Sequence, residues 1–344
     1  MNGFERSMCV LNGGVADRVP MMLHSFMPAA EQLGYSQKQY RENARVIADS
    51  HIKFAQKYDL DGMLIEVDTC VEAGALGAKI DYPENAPARE RGNLSTDLEV
   101  LRREIIPSKI ENSRRIQTIL ESIRIMKREV GGDILIRGNC DQMGFSLAML
   151  LIGIGSFMEA LADDDVEDDI KEIIDRCTDV HIAYHRLMKQ AGADITSFGD
   201  SPCGPDLISA EMYRTFAKPF HMKLKRELDR NNIKTVCHIC GKLDLILEDV
   251  AEIGFAGVEI DYKTNMESAK KAMNGHSVVF GPIDPSGVFY FGTPESVAAE
   301  TNKQLDLFKG RNLIIGAGCA LPLGTPEANL KAFSDAVKTY RIPC

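Results

Sequence analysis

The chain has 344 residues, of which 44% are hydrophobic and 26% are charged. This ordinary globular composition supports a large core and excludes collagen-like repeats and extensive disorder. Fifty acidic residues against 40 basic ones give a net charge of −10, which repels phosphate backbones and anionic lipid. We therefore expect no nucleic acid and no membrane among the partners of this protein.

The N-terminal sequence and the cysteines predict a cytoplasmic protein. The first residues lack the basic-then-apolar pattern of a secretory signal, and no apolar run approaches the roughly 20 residues of a membrane helix. The longest apolar run, residues 147–154, is interpreted as buried core. Nine cysteines scattered along the chain are typical of reduced thiols, so some of them are candidate metal ligands or nucleophiles.

Short apolar runs alternate with longer amphipathic stretches along the whole chain. The short runs are almost continuously apolar, which is typical of strands buried on both faces of a parallel sheet. The predicted strands are residues 18–26, 61–68, 133–140, 193–200, 233–240, 257–262, 277–284 and 313–321.

Helical periodicity occupies the intervals between these strands. The sequence Thr-Pro-Glu at positions 293–295, and again at 325–327, predicts two helix starts with Thr293 and Thr325 as N-caps. The predicted helices are residues 37–58, 108–129, 166–190, 209–230, 243–253, 266–273, 294–308 and 326–340.

Eight consecutive strand-then-helix units predict a (β/α)8 TIM barrel, an α/β fold of one domain over residues 1–344. Residues 79–107 are then a long insertion after the second strand. The alternative, an open doubly wound sheet, needs a glycine-rich phosphate turn after its first strand. The Asn-Gly-Gly sequence at 12–14 precedes that strand, and Gly-Ile-Gly at 153–155 lacks the third glycine, so neither supports the alternative.

Polar side chains concentrate where the predicted strands end, which is where active sites lie in this architecture. We expect His24, Asp200 and Asp284 to bind substrate, although a turn after a strand is the commoner role for each aspartate taken singly. The strand-end residues in chain order are His24, Glu66, Asp68, Asn139, Cys140, Asp141, Asp200, His238, Cys240, Glu259, Asp261, Asp284 and Cys319.

The sequence Cys-His-Ile-Cys-Gly at 237–241 is the sharpest feature of the chain. Side chains alternate between the two faces of a strand, so His238 and Cys240 point the same way while Cys237 faces the helices. Cys319, at the end of the last strand, can join them. One histidine and two cysteines with a fourth position open are used by catalytic zinc sites. The alternative is that all three are ordinary buried residues, as free cysteines often are.

The next strand ends with Glu259 and Asp261, either of which could be a fourth metal ligand or orient His238 from behind. The sequence does not choose between them, and each carboxylate could instead bind loop amides. Two histidines, His181 and His185, lie four residues apart on a long helix but lack the carboxylate of a zincin pattern, so they are predicted to face outward.

The remaining acidic and cysteine residues are interpreted structurally. The acidic run at 163–169 is typical of a solvated helix start, where the helix dipole favours negative charge, and it lacks calcium-loop spacing. Five cysteines have no partner at ligand spacing and are predicted to be structural: Cys9, Cys70, Cys177, Cys203 and Cys344.

Five segments resemble the uroporphyrinogen decarboxylase superfamily, specifically its zinc-dependent branch of corrinoid methyltransferases. The resemblance covers most of the chain and is strongest from Asp200 onward. The segments are Pro-Asp-Leu-Ile-Ser at 205–209, His-Ile-Cys-Gly at 238–241, Gly-Pro-Ile-Asp-Pro at 281–285, Gly-Thr-Pro-Glu at 292–295 and Gly-Ala-Gly-Cys at 316–319 through Thr-Pro-Glu-Ala-Asn at 325–329.

The resemblance implies a ligand set, a cofactor and a partner. In the methylcobamide:coenzyme M methyltransferases of this branch, a His-x-Cys pair and a distant cysteine bind zinc, and the matching positions here are His238, Cys240 and Cys319. It implies Zn²⁺ as cofactor, a corrinoid supplied by a separate carrier protein, and a small thiol or methylated small molecule as the other substrate. The thiolate would attack the methyl group of the corrinoid, although relatives also run transfer in the opposite direction.

Two departures separate the chain from the porphyrin decarboxylases themselves. Their first-strand loop is rich in arginines that bind substrate carboxylates, whereas residues 25–31 contain none, and their last-strand motif has histidine where this chain has Cys319. Methyl transfer is therefore the predicted function. The alternatives are a uroporphyrinogen decarboxylase-type carboxy-lyase and a non-catalytic corrinoid-binding barrel.

Overall fold

The structure is a computed structural model that describes residues 1–343. Eight parallel strands follow one another around the sheet in chain order. The first and last strands also pair, because Met21 bridges Ile315, whose N–H donates to the carbonyl of Pro20 at 2.9 Å. The sheet is thus a closed barrel, as predicted. Its strands are β1 Met22–Leu23, β2 Gly62–Ile65, β3 Leu135–Gln142, β4 Ile195–Gly199, β5 Thr235–Ile239, β6 Gly257–Ile260, β7 Val278–Ile283 and β8 Leu313–Ala317.

Helices surround the barrel and connect its strands. Helical turns of other types cover Asp164–Val166, Ser201–Cys203 and Pro285–Tyr290. The α-helices are Gly3–Leu11, Phe26–Glu31, Gln37–Glu42, Ala44–Lys57, Val71–Leu76, Leu98–Glu104, Ser108–Glu111, Arg114–Val130, Gly144–Ile152, Ile154–Ala160, Glu167–Ala191, Ala210–Phe216, Lys218–Arg230, Leu247–Ile253, Met266–Met273, Pro294–Phe308 and Glu327–Thr339.

Three of the predicted helices are broken into two. The helix predicted over 37–58 breaks at Asn43, whose backbone is extended and whose side chain caps the following helix by accepting the N–H groups of Arg45 and Val46. The helix predicted over 209–230 breaks at Ala217, just before Pro219, because a proline lacks the N–H that would continue the helix. The helix predicted over 108–129 breaks at 112–113.

The insertion after β2 contains a short hairpin, and one of the two predicted N-caps is present. Within residues 79–107, Lys79–Asp81 and Arg89–Gly92 pair as an antiparallel hairpin. Thr293 caps its helix as predicted, since its hydroxyl accepts the N–H of Ser296. The prediction for Thr325 is wrong, because Pro326 precedes the last helix and no side chain caps it.

The barrel interior has an apolar layer below a polar one. The apolar layer packs against the N-terminal helix Gly3–Leu11 and includes one inward-facing residue from most strands: Met22, Leu64, Leu135, Ile195, Val236 and Ile314. Positions two residues further along a strand face the same interior. Arg137 in β3 and His238 in β5 occupy such positions, as do His24 and Glu66 directly after β1 and β2. The alternation of side chains therefore builds the polar layer on an apolar floor.

A second apolar core lies between the strands and the surrounding helices. Cys237 belongs to the core between strands and helices, as predicted. The apolar run at 147–154 is mostly buried in the helix Gly144–Ile152, although Ile154 itself is exposed. Among the described residues, none of the helices has both the length and the apolar character that crossing a membrane requires.

Candidate metal centre and its pocket

The three predicted zinc ligands, His238, Cys240 and Cys319, converge at the carboxyl ends of β5 and β8. His238 Nε2 lies 2.9 Å from Cys240 Sγ, and Cys240 Sγ lies 3.5 Å from Cys319 Sγ. All three ligand atoms lie within 4.8 Å of one another, and both cysteines are free thiols. One imidazole nitrogen and two sulfurs are the donor set of a catalytic zinc site, so these residues fit zinc.

Strand pairing fixes which nitrogen of His238 faces the sulfurs. His238 is opposite Glu259 in the register of β5 and β6, and its Nδ1 donates to the backbone carbonyl of Glu259 at 3.0 Å. Nε2 is then left for the ligand position, which is how metal-binding histidines are usually oriented. Burial favours the neutral ring, but Cys240 and Glu259 outweigh it and raise the pKa of His238 to about 10.

The two thiols influence each other in opposite directions. The hydrogen bond from Cys319, together with the charge of His238, lowers the pKa of Cys240, because both favour its thiolate. The same bond raises the pKa of Cys319, which carries the shared proton. Cys240 is therefore the thiol that ionises first.

The loop after β5 is held rigidly around Cys240. The N–H of Cys240 donates to Ser201 Oγ at 3.1 Å. The next residue, Gly241, has φ +93°, a conformation that favours glycine, and its N–H donates to Asp261 Oδ2 at 2.8 Å. The hydroxyl of Thr264 donates to the Gly241 carbonyl at 3.1 Å. Asp261 thus holds the ligand loop, and its carboxylate is not part of the ligand cluster.

We expect Asp261→Ala to weaken zinc binding by about 10- to 100-fold, the usual effect of removing a group that orients a metal ligand. The measurement is competition for zinc with a chromogenic chelator. Asp284→Ala is the matched control, because Asp284 also ends a strand and accepts two backbone N–H groups, but neither comes from the loop that carries Cys240. Equal zinc affinity in both variants would show that Asp261 does not position Cys240.

The carboxylate of Glu259 contacts three basic side chains. Its carboxylate pairs with Arg137 Nη1 at 2.5 Å and with His24 Nδ1 at 3.2 Å, and it lies 3.8 Å from His238 Nδ1. Burial favours the neutral acid, but Arg137 and the two histidines lower the pKa of Glu259 below its usual range. Glu259 is absent from the ligand cluster. The group of Glu259 that orients His238 is therefore its backbone carbonyl and not the carboxylate that the sequence suggested, and the carboxylate lies outside the ligand cluster.

His24 lies between two carboxylates beside the metal centre. Its Nε2 is 2.7 Å from Glu66 Oε2, and its Nδ1 faces Glu259. Burial opposes the charged ring, but the two carboxylates outweigh it and raise the pKa of His24 to about 9. Asn139 Nδ2 also donates to Glu66, at 2.9 Å. These contacts make His24 part of the same polar layer as the candidate ligands, as expected.

A pocket of about 230 Å³ opens onto the candidate metal centre. It combines the three candidate ligands with the polar layer and a few apolar walls. Its lining residues are His24, Phe26, Glu66, Asp68, Thr69, Pro87, Arg137, Asn139, Gln142, Phe198, Gly199, Ser201, His238, Cys240, Glu259, Cys319 and Ala320.

Two of the predicted substrate-binding residues do not line this pocket. Asp200 is fully buried, accepts the backbone N–H of Ser146 at 2.9 Å and pairs with His221 Nε2 at 2.8 Å. Asp284 accepts two backbone N–H groups at the start of the turn Pro285–Tyr290. Both carboxylates hold local structure, as the alternative for strand-end aspartates predicts, and their binding of substrate stays a prediction.

Arg137 is the main pocket residue that the strand-end pattern missed. It lies inside β3 rather than at its end, pairs with Glu259, and its guanidinium lies 5.1 Å from the centre of the Phe280 ring. The available signal was an arginine two positions after Leu135, which places it on the same face of a strand that the barrel buries on both sides. The same inward parity also brings Asn139 into the pocket.

The prediction for His181 and His185 is wrong, because both are completely buried. His181 Nδ1 lies 3.1 Å from the carboxylate of Glu72, and His185 Nδ1 lies 2.7 Å from the Thr196 hydroxyl. The helix Glu167–Ala191 packs against β3 and β4 of the barrel, and the side chain of Glu72 reaches His181 from its own short helix. Their spacing alone could not reveal which face was covered.

A second cluster comprises Asp200, Cys203 and His221, all of them buried. Sequence spacing did not bring Cys203 together with these partners. Since Asp200 already pairs with Ser146 and His221, we interpret the cluster as a hydrogen-bonded part of the core. Cys70 and Cys177 are likewise buried free thiols, whereas Cys344 lies outside the described residues.

Known proteins are similar to this chain in sequence and in fold. The methylcobamide:CoM methyltransferase MtbA of Methanosarcina mazei is 27% identical over 350 residues, covering 98% of both chains. The corresponding MtaA of Methanosarcina barkeri is 26% identical over 342 residues, covering 97% of both. A solved structure of a methyltransferase from Methanosarcina mazei has a TM-score of 0.89 at 24% identity, covering 98% of each chain. It has the same barrel fold.

The family match extends over nearly the whole chain. Residues 2–340 match the family described as uroporphyrinogen decarboxylase (URO-D). The relatives named above are methyltransferases, which supports an enzymatic role for this chain. The match covers far more than half of the sequence, and the chain belongs to the uroporphyrinogen decarboxylase family.

Proposed function

We propose that the protein transfers a methyl group between a corrinoid and a small thiol, with Zn²⁺ held by His238, Cys240 and Cys319. The observation that carries this proposal is the convergence of one imidazole nitrogen and two free thiols in the wall of a pocket at the carboxyl end of the barrel. The methyltransferase names of the relatives support the reaction class. Such a donor set also suits thiol activation better than decarboxylation.

The residues of the chain have distinct tasks in this proposal. Cys240 and Cys319 supply sulfur ligands, and His238 supplies Nε2 while its Nδ1 stays on the Glu259 carbonyl. When bound, zinc supplies positive charge at the open side of these ligands, which favours the thiolate form of a substrate thiol. In the thiol-accepting direction, the sulfur–methyl bond forms as the cobalt–methyl bond breaks, and the electron pair of that bond leaves with cobalt(I).

The volume of the pocket limits which of the two substrates can enter it. At about 230 Å³ it is smaller than the about 300–1,000 Å³ typical of pockets for drug-sized ligands. A small thiol fits inside, whereas a tetrapyrrole or corrinoid ring does not. In this proposal the corrinoid presents its methyl group from the mouth of the barrel, and the small volume disfavours porphyrinogen decarboxylation within the pocket.

The rim of the barrel offers a surface for the corrinoid carrier protein. Leu207, Leu245, Tyr262 and Phe291 follow β4, β5, β6 and β7, on the same end of the barrel as the pocket, and are 43–78% exposed. Large apolar side chains exposed on one face mark interaction sites. We propose that the carrier docks on this apolar rim, since the rim adjoins the strand that carries His238.

Replacing Leu245 and Phe291 together by serine is expected to raise KM for a methylated corrinoid carrier protein by about tenfold or more, because truncating interface anchors commonly costs more than 1 kcal/mol each. The rate with free methylcobalamin should stay unchanged. Val15→Ser is the control, since Val15 is half-exposed in the segment before β1, away from the rim. An unchanged KM for the carrier would place the docking surface elsewhere.

The proposal is tested by thiol-dependent demethylation of methylcobalamin, followed by the change in its visible absorbance. Zinc-loaded protein should catalyse the reaction and release a methyl thioether. Full activity of folded, zinc-free protein would contradict the role of zinc. Decarboxylation of a porphyrinogen without zinc would favour the carboxy-lyase, and corrinoid binding without turnover would favour a binding protein.

A further inference from the structure

A second cavity, of about 380 Å³, lies beside the pocket of the candidate metal centre. The two are joined by one ion pair, since Arg115 lines this cavity and Asp68, its partner, lines the pocket. We propose that the second cavity binds a phosphate group. Its lining residues, which define the arginine cavity, are Arg41, Glu42, Tyr82, Arg114, Arg115 and Thr118. Three guanidinium groups around one cavity stand out in a chain whose net charge is −10.

Arg41 is a buried cation without a carboxylate partner. Its side chain lines the cavity although the residue is only 3% exposed. Nη1 and Nη2 donate to the backbone carbonyls of Ala86 and Pro83, and within residues 1–343 Nε has no acceptor. The guanidinium also lies 5.7 Å from the centre of the Tyr82 ring. Carbonyl dipoles and an aromatic face leave its full charge uncompensated, which favours a bound anion.

Arg115 and Arg114 bring further donors to the same cavity. Arg115 uses Nη2 for Asp68, while its Nη1 is buried and finds no acceptor in the described part of the chain. Arg114 is exposed and begins the 17-residue helix Arg114–Val130, whose start has no side-chain cap among the described residues. The uncapped N–H groups and the helix dipole add positive partial charge at this point.

Nearby carboxylates do not neutralise the arginine cavity. Of the residues described, Glu42 is the only carboxylate in the lining, and it is exposed. Asp68 balances Arg115 alone. Glu84 lies outside the lining, is exposed, and accepts the hydroxyl of Ser36 at 2.8 Å. Two guanidinium groups therefore remain for an anion from outside the chain.

A phosphate group suits this arrangement better than a single carboxylate. Its several oxygens can accept from more than one guanidinium and from a helix start at the same time. The volume exceeds that of a phosphate ion, so the cavity has room for the group to which the phosphate is attached. Two sources have this chemistry: a free phosphorylated small molecule, and a corrinoid whose nucleotide tail contains a phosphodiester. The second source rests on the proposed function.

The first test is calorimetric titration with inorganic phosphate at constant ionic strength. We expect saturable binding that Arg41→Gln and Arg114→Gln each weaken by about three- to tenfold or more, because charge-assisted hydrogen bonds are lost. Arg128→Gln is the matched control, since it removes the same charge about 20 Å further along the same helix. Cys319→Ser, which lacks one candidate zinc ligand, should bind phosphate normally and so exclude phosphate on the metal.

If Arg41→Gln does not fold, Arg114→Gln still decides the question, because Arg114 is exposed. The absence of saturable binding to the unmodified protein overturns the proposal. So does equal phosphate affinity in Arg114→Gln and Arg128→Gln.

The second test identifies the source of the phosphate by comparing methylcobalamin with methylcobinamide, which lacks the nucleotide tail. If the corrinoid tail occupies the cavity, Arg114→Gln should raise KM for methylcobalamin several-fold and leave KM for methylcobinamide unchanged. If a free phosphorylated molecule occupies it, both KM values stay unchanged while the calorimetric effect remains. Absence of methyl transfer from either corrinoid would contradict the proposed function, whereas the calorimetric result would still stand or fall by itself.

Discussion

Cys319→Ser is expected to abolish stoichiometric zinc binding and to reduce thiol-dependent demethylation of methylcobalamin by at least about 100-fold, because even the loss of a group that only orients a ligand costs 10- to 100-fold. Cys319 supplies one of three converging donors, 3.5 Å from Cys240 Sγ. A serine hydroxyl is far less acidic than a thiol and does not replace the sulfur ligand. Elemental analysis of the purified, folded proteins measures the metal, and initial rates measure the reaction.

Cys237→Ser is the matched control for this experiment. Cys237 neighbours His238 in the chain but faces the core between strands and helices. Its replacement should cost stability, since it buries a hydroxyl, while zinc content stays close to that of the unmodified protein. Zinc that persists in Cys319→Ser, or its absence from all the proteins after reconstitution under reducing conditions, would remove the basis of the proposed metal site.

The second large effect concerns stability. Glu259→Ala should lower the free energy of unfolding by about 3–5 kcal/mol, because it leaves the guanidinium of Arg137 buried without its partner. Arg137 and Glu259 are each about 3% exposed, so water cannot compensate for the lost pair. Denaturant unfolding in the presence of a chelator measures this cost without any contribution from bound metal.

A double substitution separates the buried charge from the lost packing. Replacing Arg137 and Glu259 together by methionine removes both charges and retains apolar volume, so this variant should be more stable than Glu259→Ala. Glu248→Gln, on an outer helix, should change the unfolding midpoint little. If the double variant is as unstable as Glu259→Ala, then the loss does not arise from the unpaired guanidinium.

The strands were predictable because the barrel buries both of their faces. Apolar runs such as Val-Val-Phe at 278–280 leave little alternative, and all eight predicted strands occur in the structure, with ends shifted by a few residues. The helix breaks at Asn43 and Ala217 were less evident. The apolar periodicity continues across both breaks, but the Asn43 side chain caps a new helix at the first and Pro219 interrupts the helix at the second.

Contacts between distant segments needed the tertiary structure. Strand parity placed His238 and Cys240 on one face, but the 3.5 Å approach of Cys319 depends on the closure of the barrel, which brings segments 79 residues apart into contact. Glu259 and Asp261 lie two residues apart and are predicted to face the same way. Only the paired strands and the packed loop show that Glu259 orients His238 through its carbonyl while Asp261 holds Gly241.

By itself the sequence determined the barrel, the end of the barrel that carries the polar residues, and the identity of the candidate ligands, because alternation along strands and strand-end chemistry are local properties. Only the tertiary structure decided that Asp200 and Asp284 hold local structure, that His181 and His185 are buried and that Arg137 lines the pocket. Those outcomes depend on which neighbour covers each face, and such neighbours lie far away in the chain.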